Sequence, residues 1–559
     1  MESKQKKANN ILKQGTILAV ASVIVRMIGL LYRVPLNNLL TDDGVGIYSV
    51  AFQIYQVALI VSSYGLPLAV SKMVAAKNVK GEYKNSQKIF KNSLIFAAII
   101  GGVVGGIIFF GADFFAGMWE MKGVALPLRV LAPTIFCVAI LGVLRGFFQG
   151  QNTMVPTAIS QVFEQIVNAV VSFVAAYLLM EMHSESQNKY AYGAAGSTTG
   201  TLSGALAALL VMIGVYMLNR PVFRRQRRRD RHSVDSDWDI YRMLFVTVIP
   251  VILSQTVYQI SSVIDSLMFG KIMAGHHVSE SVRSGLIGAY SGQYTLLLSV
   301  PLGIATAMGT SIIPSVVASF NSEDYDGVKY KINSVVKFNM MLAIPCAVGL
   351  SVLGTQIVYM IFPNLITYRQ VAGMMLLTGS IALVFYALST VTSGVLQAVN
   401  QMKLPMIHSA ISLAIHVVLV FVLLQYTNLG VYALIVGNIT FPLVVCILNW
   451  RSVGKYLDYH QEIRTTFTLP TVAALTMGAV CFASYQGLHL VIEQMGKLVD
   501  LGGKGVYFNN AISTLVAVIL GVLVYFLVAL LLKTVEEEEL MEMPMGRTLW
   551  SVAKKLHLM

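Results

Sequence analysis

The chain has 559 residues, of which 56% are hydrophobic and only 12% charged, about half the charged fraction of a soluble domain. That balance excludes a water-soluble globular enzyme. It implies a protein whose solvent is lipid, in which each backbone polar group at membrane depth needs an internal partner. The net charge of +13 resembles a nucleic-acid signal, yet no aromatic or folded nucleic-acid module accompanies it, and membrane topology explains it more simply.

The apolar runs are roughly 20 to 30 residues long, which suits helices and not barrel strands of about ten residues. About fourteen candidate spans follow one another, at roughly 12–35, 46–70, 92–112, 126–149, 155–180, 192–218, 243–270, 285–314, 336–362, 371–398, 404–426, 430–450, 467–488 and 510–532. The fold class is an all-α polytopic membrane protein. The basic stretch before Leu12 resembles a signal peptide, but its apolar run is long and no small-residue cleavage site follows, so it reads as a retained first span. Cys137, Cys346, Cys446 and Cys481 all fall in apolar segments and read as packing residues.

The first span carries Arg26 and Arg33. Their spacing is close to two helical turns, so both lie near one face. Counting from Lys13, Arg26 sits roughly 20 Å along the axis. A guanidinium at that depth costs at least ~2.5 kcal/mol on the mildest insertion scale. It is tolerable only beside a wet cavity or a partner, and the expectation is a cavity that takes an anion.

With an even number of spans both termini share a side, and most of the 40 basic residues then lie on it. They include Lys4 to Lys13, the lysines from Lys72 to Lys91, Arg145, the run RRQRRRDR (224–231), and Lys403, Arg451 and Lys455. The positive-inside rule makes that side cytoplasmic. The arginine run reads as an orienting loop that touches anionic headgroups.

A duplication is visible. GIYS (46–49) recurs as GAYS (288–291). GVL (142–144), with Gln149, Asn152, Pro156 and AIS (158–160), recurs as GVL (394–396), with Gln397, Asn400, Pro405 and AIS (410–412). Two six-span halves related by an axis along the membrane normal would give this pattern. The expected organisation is an N-lobe at 1–233, a C-lobe at 234–465, two further spans at 466–533 and a cytoplasmic tail at 534–559. Gly196, Gly200 and Gly204, with the Gly101/Gly105 and Gly102/Gly106 pairs, read as helix-packing residues.

Repeat-built transporters bind substrate at the repeat interface, which would be lined by spans 1 and 7. Span 7 sets Gln255, Gln259, Ser262 and Ser266 on one stripe beside Asp265. An Arg33–Asp265 pair would close the outer side. Span 5 sets Gln161, Glu164, Gln165 and Asn168 on one face, with Glu164 about 14 Å in from Pro156. A carboxylate there is a gating or ion-coupling candidate; it titrates or it pairs with an arginine. His408 and His416 read as packing residues. Walker A, HExxH, paired CxxC and GxSxG motifs are absent, which argues against an enzyme and against ATP as the energy source.

VRMIGLLYRVPLNN…DDGVGIY (25–48), GLPLAVSK (65–72) and LRGFFQGQNTMVPTAISQVFEQIVN (144–168) resemble the stage V sporulation protein B and polysaccharide-transporter branch. That branch belongs to the multidrug/oligosaccharidyl-lipid/polysaccharide exporter superfamily, alongside the lipid II flippases. The resemblance implies two lobes in an inverted V. It further implies a flippase that moves an undecaprenyl-pyrophosphate-linked saccharide across the bacterial plasma membrane by alternating access. No cofactor is implied; the partners would be the lipid-linked saccharide, membrane lipids and a monovalent coupling cation. Lipid II flippases carry cavity arginines in spans 1, 2 and 8. Arg26 matches the first of these, while Arg33 lies one residue beyond the next, where the flippases have an acid. Span 2 here holds Gln53 and Gln56 without an arginine, and only Arg283 precedes span 8.

Guanidinium groups bind pyrophosphate bidentately, and Tyr48, Gln53, Gln56, Tyr290, Gln293 and Tyr294 suit sugar hydroxyls. Arg145, at the cytoplasmic end of span 4, could receive the headgroup. A multidrug cation antiporter of the same superfamily is the alternative, and it would want buried carboxylates where this chain has arginines. An integral membrane glycosyltransferase would need a catalytic extramembrane loop, which is not seen.

Overall fold

The computed structural model describes residues 2–311, 313–496 and 505–534. The tail expected at 534–559 lies outside them but for its first residue. Among the described residues every regular element is helical. By packing, the chain forms two compact units, Met1–Gly288 and Ala289–Met559.

The first unit contains α1 (Glu2–Leu59), α2 (Leu66–Val79), α3 (Tyr83–Phe110), α4 (Ala112–Met118), α5 (Ala125–Gly150), α6 (Val155–Met182), α7 (Lys189–Arg229), α8 (Asp237–Gly275) and α9 (Glu280–Gly288). The second contains α10 (Leu296–Ser311), α11 (Ile313–Asn321), α12 (Tyr325–Ile361), α13 (Arg369–Gly379), α14 (Ala382–Ala398), α15 (Lys403–Tyr426), α16 (Tyr432–Leu457), α17 (Leu469–Gly496) and α18 (Gly505–Leu531). π-helical turns at Ile60–Tyr64, Ala289–Thr295 and Arg464–Thr468 interrupt the α-helical register. Ten described helical stretches are long and apolar enough to cross a membrane. An eleventh is formed by α13 and α14 together, bent by 50°. The first of the ten, Ile24–Val79, takes in most of two of the fourteen candidate spans, because α1, the π-helical turn at Ile60–Tyr64 and α2 follow on from one another, with a break inside α1 at Thr41 (φ 60°). The candidate spans 243–270 and 285–314 fall on α8 and on α9 to α10. The result is a polytopic all-α membrane fold consistent with about fourteen spans.

The duplication seen in the letters recurs in the backbone. Asn152 and Asn400, the paired residues of the two GVL motifs, both adopt left-handed conformations (φ 58° and 63°) just after α5 and α14. Positive φ also recurs at Thr41 and His277 (60° and 61°), which follow the first span of each half. Gly81 and Glu323 (φ 76° and 59°) repeat it after the second. Five of these six residues are not glycine, and non-glycine residues seldom take positive φ, so its recurrence at matched places marks a repeated chain path.

Close helix packing rests on missing side chains. A Cβ on Gly196 would lie 2.5 Å from the Ala175 carbonyl oxygen, one on Gly200 2.1 Å from Ser172 Oγ, and one on Gly204 2.6 Å from the Glu164 carbonyl oxygen. The ladder of α7 therefore sits directly against the backbone of α6. Gly46 and Gly288, which are equivalent in the repeat, bring α1 onto α9. A Cβ at Gly46 would come within 1.9 Å of the Ser284 carbonyl oxygen, and one at Gly288 within 2.0 Å of that of Asp42.

The segment between α7 and α8 is tied down by charge. Asp230 is buried and accepts from the Lys84 backbone N–H at 2.6 Å and from that of His232 at 2.8 Å. These bonds, the Lys84 one above all, hold its carboxyl down at about 2. Lys77 bridges Glu82 and Asp235 at 2.7 and 2.6 Å, and Lys88 meets Asp237 at 3.0 Å.

Two outcomes follow from this packing. Gly46→Ala is expected to destabilise the protein by about 1–3 kcal/mol through overpacking, whereas Gly214→Ala, whose Cβ would meet open space, leaves the melting temperature in detergent unchanged. A carboxyl whose folded pKa is depressed adds stability that is present above about pH 4 and is lost as pH falls toward 2. Limited proteolysis across 231–236 should therefore accelerate at neutral pH in Asp230→Ala, and in the wild type only in acid.

Candidate functional site

Arg26 is exposed on α1, and the exposed apolar residues nearby face elsewhere. At ~100° per residue, the exposed side chains of Ile24, Met27 and Leu31 lie roughly 100° to 160° round the helix from it. Arg33 and Gly29 instead share its side. A Cβ at Gly29 would come within 3.2 Å of Gln165 Nε2, so that side looks toward the polar face of α6. Arg26 thus points away from the apolar stripe of its own helix.

Arg33 is half-buried and hydrogen-bonded to the hydroxyls of Tyr32 and Tyr48, which also bond to each other. Tyr32 in turn accepts from Asn168 Nδ2 at 3.4 Å. The amide oxygen of Asn168 accepts from Ser172 Oγ at 2.9 Å. A chain of polar groups therefore crosses from α1 to α6. Asp265 is buried on α8.

Glu164 pairs with Arg145, whose Nη2 donates to Glu164 Oε2 at 2.6 Å while its Nε donates to Ser160 Oγ at 3.0 Å. The expected headgroup acceptor is thus engaged by a carboxylate from the facing helix, and the expected coupling carboxylate is held as an ion pair. One turn away, Gln161 Oε1 is buried without a hydrogen-bond partner.

The remaining candidates fall in different places. Gln53 Oε1 accepts from Ser266 Oγ at 2.5 Å, and Ser266 also receives Trp119 Nε1 at 2.9 Å. This fixes α1 to α8 and occupies a side chain read as a sugar contact. Gln56 is half-buried and Gln259 is exposed, while the Gln255 side chain lies outside the described residues. Arg283 is buried, with its guanidinium donating to the backbone carbonyls of Val278 and Glu120; it is a structural clasp. In the second unit, Tyr294 is fully buried, its hydroxyl 3.0 Å from the Gly379 carbonyl and 3.1 Å from Asn438 Oδ1. Asn438 Nδ2 donates to Tyr290 and Tyr386. Asn438 and Tyr386 escaped the sequence reading, since lone polar residues in apolar runs carry no pattern. His408 and His416 are buried on α15 and bonded to Asn449 Oδ1 at 2.8 Å and the Gly437 carbonyl at 2.9 Å. They serve packing.

Neutralising one member of a mostly buried ion pair strands the other, at about 1–3 kcal/mol. Arg145→Gln and Glu164→Gln should each lower thermal stability, and the double variant should lose less than the sum of the two. Thermal unfolding of all four proteins in one detergent tests this.

Comparison with known proteins is consistent with this geometry. The chain is 24% identical over 483 residues to the lipid II flippase MurJ of Bacillus subtilis (strain 168), covering 84% of this chain and 87% of that protein. It is 23% identical over 454 residues to stage V sporulation protein B of the same organism, covering 81% and 85%. In fold it resembles a solved structure of the lipid II flippase MurJ in an inward closed conformation. There the TM-score is 0.64 at 17% identity, covering 93% of this chain and 99% of the other. The family model for polysaccharide biosynthesis proteins matches residues 11–320, more than half of the sequence, and the chain belongs to that family.

Proposed function

We propose that this protein is a flippase, moving an undecaprenyl-pyrophosphate-linked saccharide from the inner to the outer leaflet of a bacterial plasma membrane by alternating access. The observation that carries the reading is Arg26, a guanidinium at membrane depth, exposed and turned away from the apolar stripe of its helix. A permanent cation is retained there only where it meets an anion or water. A pyrophosphate offers the oxygens that a planar guanidinium binds in pairs.

Around it the roles divide. Arg26 takes the phosphate, and Arg33, held by two tyrosine hydroxyls, adds a second positive group on the same face. Gln53, Gln56, Gln255 and Gln259 supply amides for the saccharide, with Gln53 available once it leaves Ser266. Glu164 stands in for the cargo: its carboxylate keeps Arg145 paired until a phosphate displaces it, which makes the pair a gate. Asp265 is the second acidic candidate for gating or coupling to a monovalent cation. Both termini are cytoplasmic, the functional lobes meet near residue 233, and the protein is a transporter and not an enzyme. Family membership, the names of the relatives and the polar face of α1 and α6 support this reading together.

Depletion should cause lipid-linked saccharide to accumulate on the cytoplasmic face, and Arg26→Ala should fail to relieve that accumulation while inserting at wild-type levels. Full complementation by Arg26→Ala would refute the assignment. Drug sensitivity without accumulation of a lipid-linked saccharide would favour the cation antiporter.

A further inference from the structure

The second unit carries a groove of its own. It is a cavity of about 830 Å³ between α14, α16 and the segment that leads into α17. Its lining on α16 runs from Leu443 to Gly454, about 16 Å along the axis. The two ends differ in chemistry. Leu443, Ile447, Phe385 and Leu388 make one end wholly apolar, whereas Arg451 and His460 stand at the other.

Trp450 lies between them, its ring 6.2 Å from that of Phe467, where an indole suits the boundary between hydrocarbon and headgroups. Arg451 and His460 are exposed, and no acidic residue lines the groove. Of the two neighbouring acids, Asp458 is drawn to Lys329, at 4.0 Å, and Glu462 stands outside the lining. A slot that is greasy at one end and cationic at the other is complementary to an amphiphile with an anionic head.

We propose that this groove binds an anionic phospholipid of the surrounding bilayer, one acyl chain lying along α16 and the phosphate on Arg451, with His460 beside it. The site is independent of the cargo and of the flippase reading. Its chemistry sets it apart from ordinary lipid contact, because it selects by headgroup.

The test uses the full chain reconstituted in vesicles containing either dibrominated phosphatidylglycerol or dibrominated phosphatidylcholine at equal mole fraction. Bromine quenches nearby indoles, and the Trp450 contribution is the difference between wild type and Trp450→Phe. Phosphatidylglycerol should be preferred about fivefold at Trp450, the factor expected for one basic residue at an anionic surface. Arg451→Gln should abolish that preference, while Lys455→Gln, an equal loss of charge outside the groove, should keep it. Equal quenching by the two headgroups in the wild type would overturn the proposal, as would an equal loss of preference in the two variants. Undecaprenyl phosphate displacing phosphatidylglycerol at a lower mole fraction would also overturn it, by assigning the groove to a polyprenyl chain.

Discussion

The constraint on which the molecule depends is that hydrocarbon does not tolerate an unanswered charge. Three of the four candidate arginines in the first unit have their own answer. Arg33 has two tyrosine hydroxyls, Arg145 has a carboxylate and a serine, and Arg283 has backbone carbonyls. Arg26 alone among these four is exposed. The three that are answered hold these partners in this structure; the side chain of the fourth is open to its surroundings.

That arrangement needs helices that approach closely, and glycine supplies the approach. The ladder of α7 lies under α6 at Glu164, Asn168 and Ser172, the residues that meet Arg145 and Tyr32. Packing and chemistry therefore share one helix: glycines of α7 lie against α6 at Glu164, Asn168 and Ser172, while Glu164 reaches Arg145, Asn168 reaches Tyr32 and Ser172 turns back to the Ser197 carbonyl of α7. A bulky residue in the ladder would shift the carboxylate relative to Arg145, so a packing change would read out as a change at the site.

The glutamines show how the same side chain can serve either purpose. Gln53 is bonded to Ser266, Gln259 is exposed, and Gln161 keeps a buried oxygen without a partner. In water such amides would be interchangeable. Within a helix bundle each is distinguished by what the facing helix offers, because an amide without a partner costs free energy that one with a partner does not.

Much of this protein was legible in its letters. Membrane class and helical type follow from composition and run length, since lipid leaves the backbone so few alternatives. The duplication is equally legible, down to Asn152 and Asn400, and so are Gly101, Gly105, Gly196, Gly200 and Gly204 as packing residues; the expected Gly102/Gly106 pair does not pack, since a Cβ at Gly106 would meet open space. What only the tertiary structure decided is partnership: that Glu164 answers Arg145, that Arg33 is held by tyrosines, that Arg283 and Tyr294 are committed to the scaffold, and that α1 meets α9 at Gly46 and Gly288. The physical reason is that a period of 3.6 residues reveals which face a side chain occupies. Which face of which other helix lies opposite is set by contacts between residues that are nineteen positions apart in Arg145 and Glu164 and more than two hundred apart in Gly46 and Ser284, and no local pattern records them.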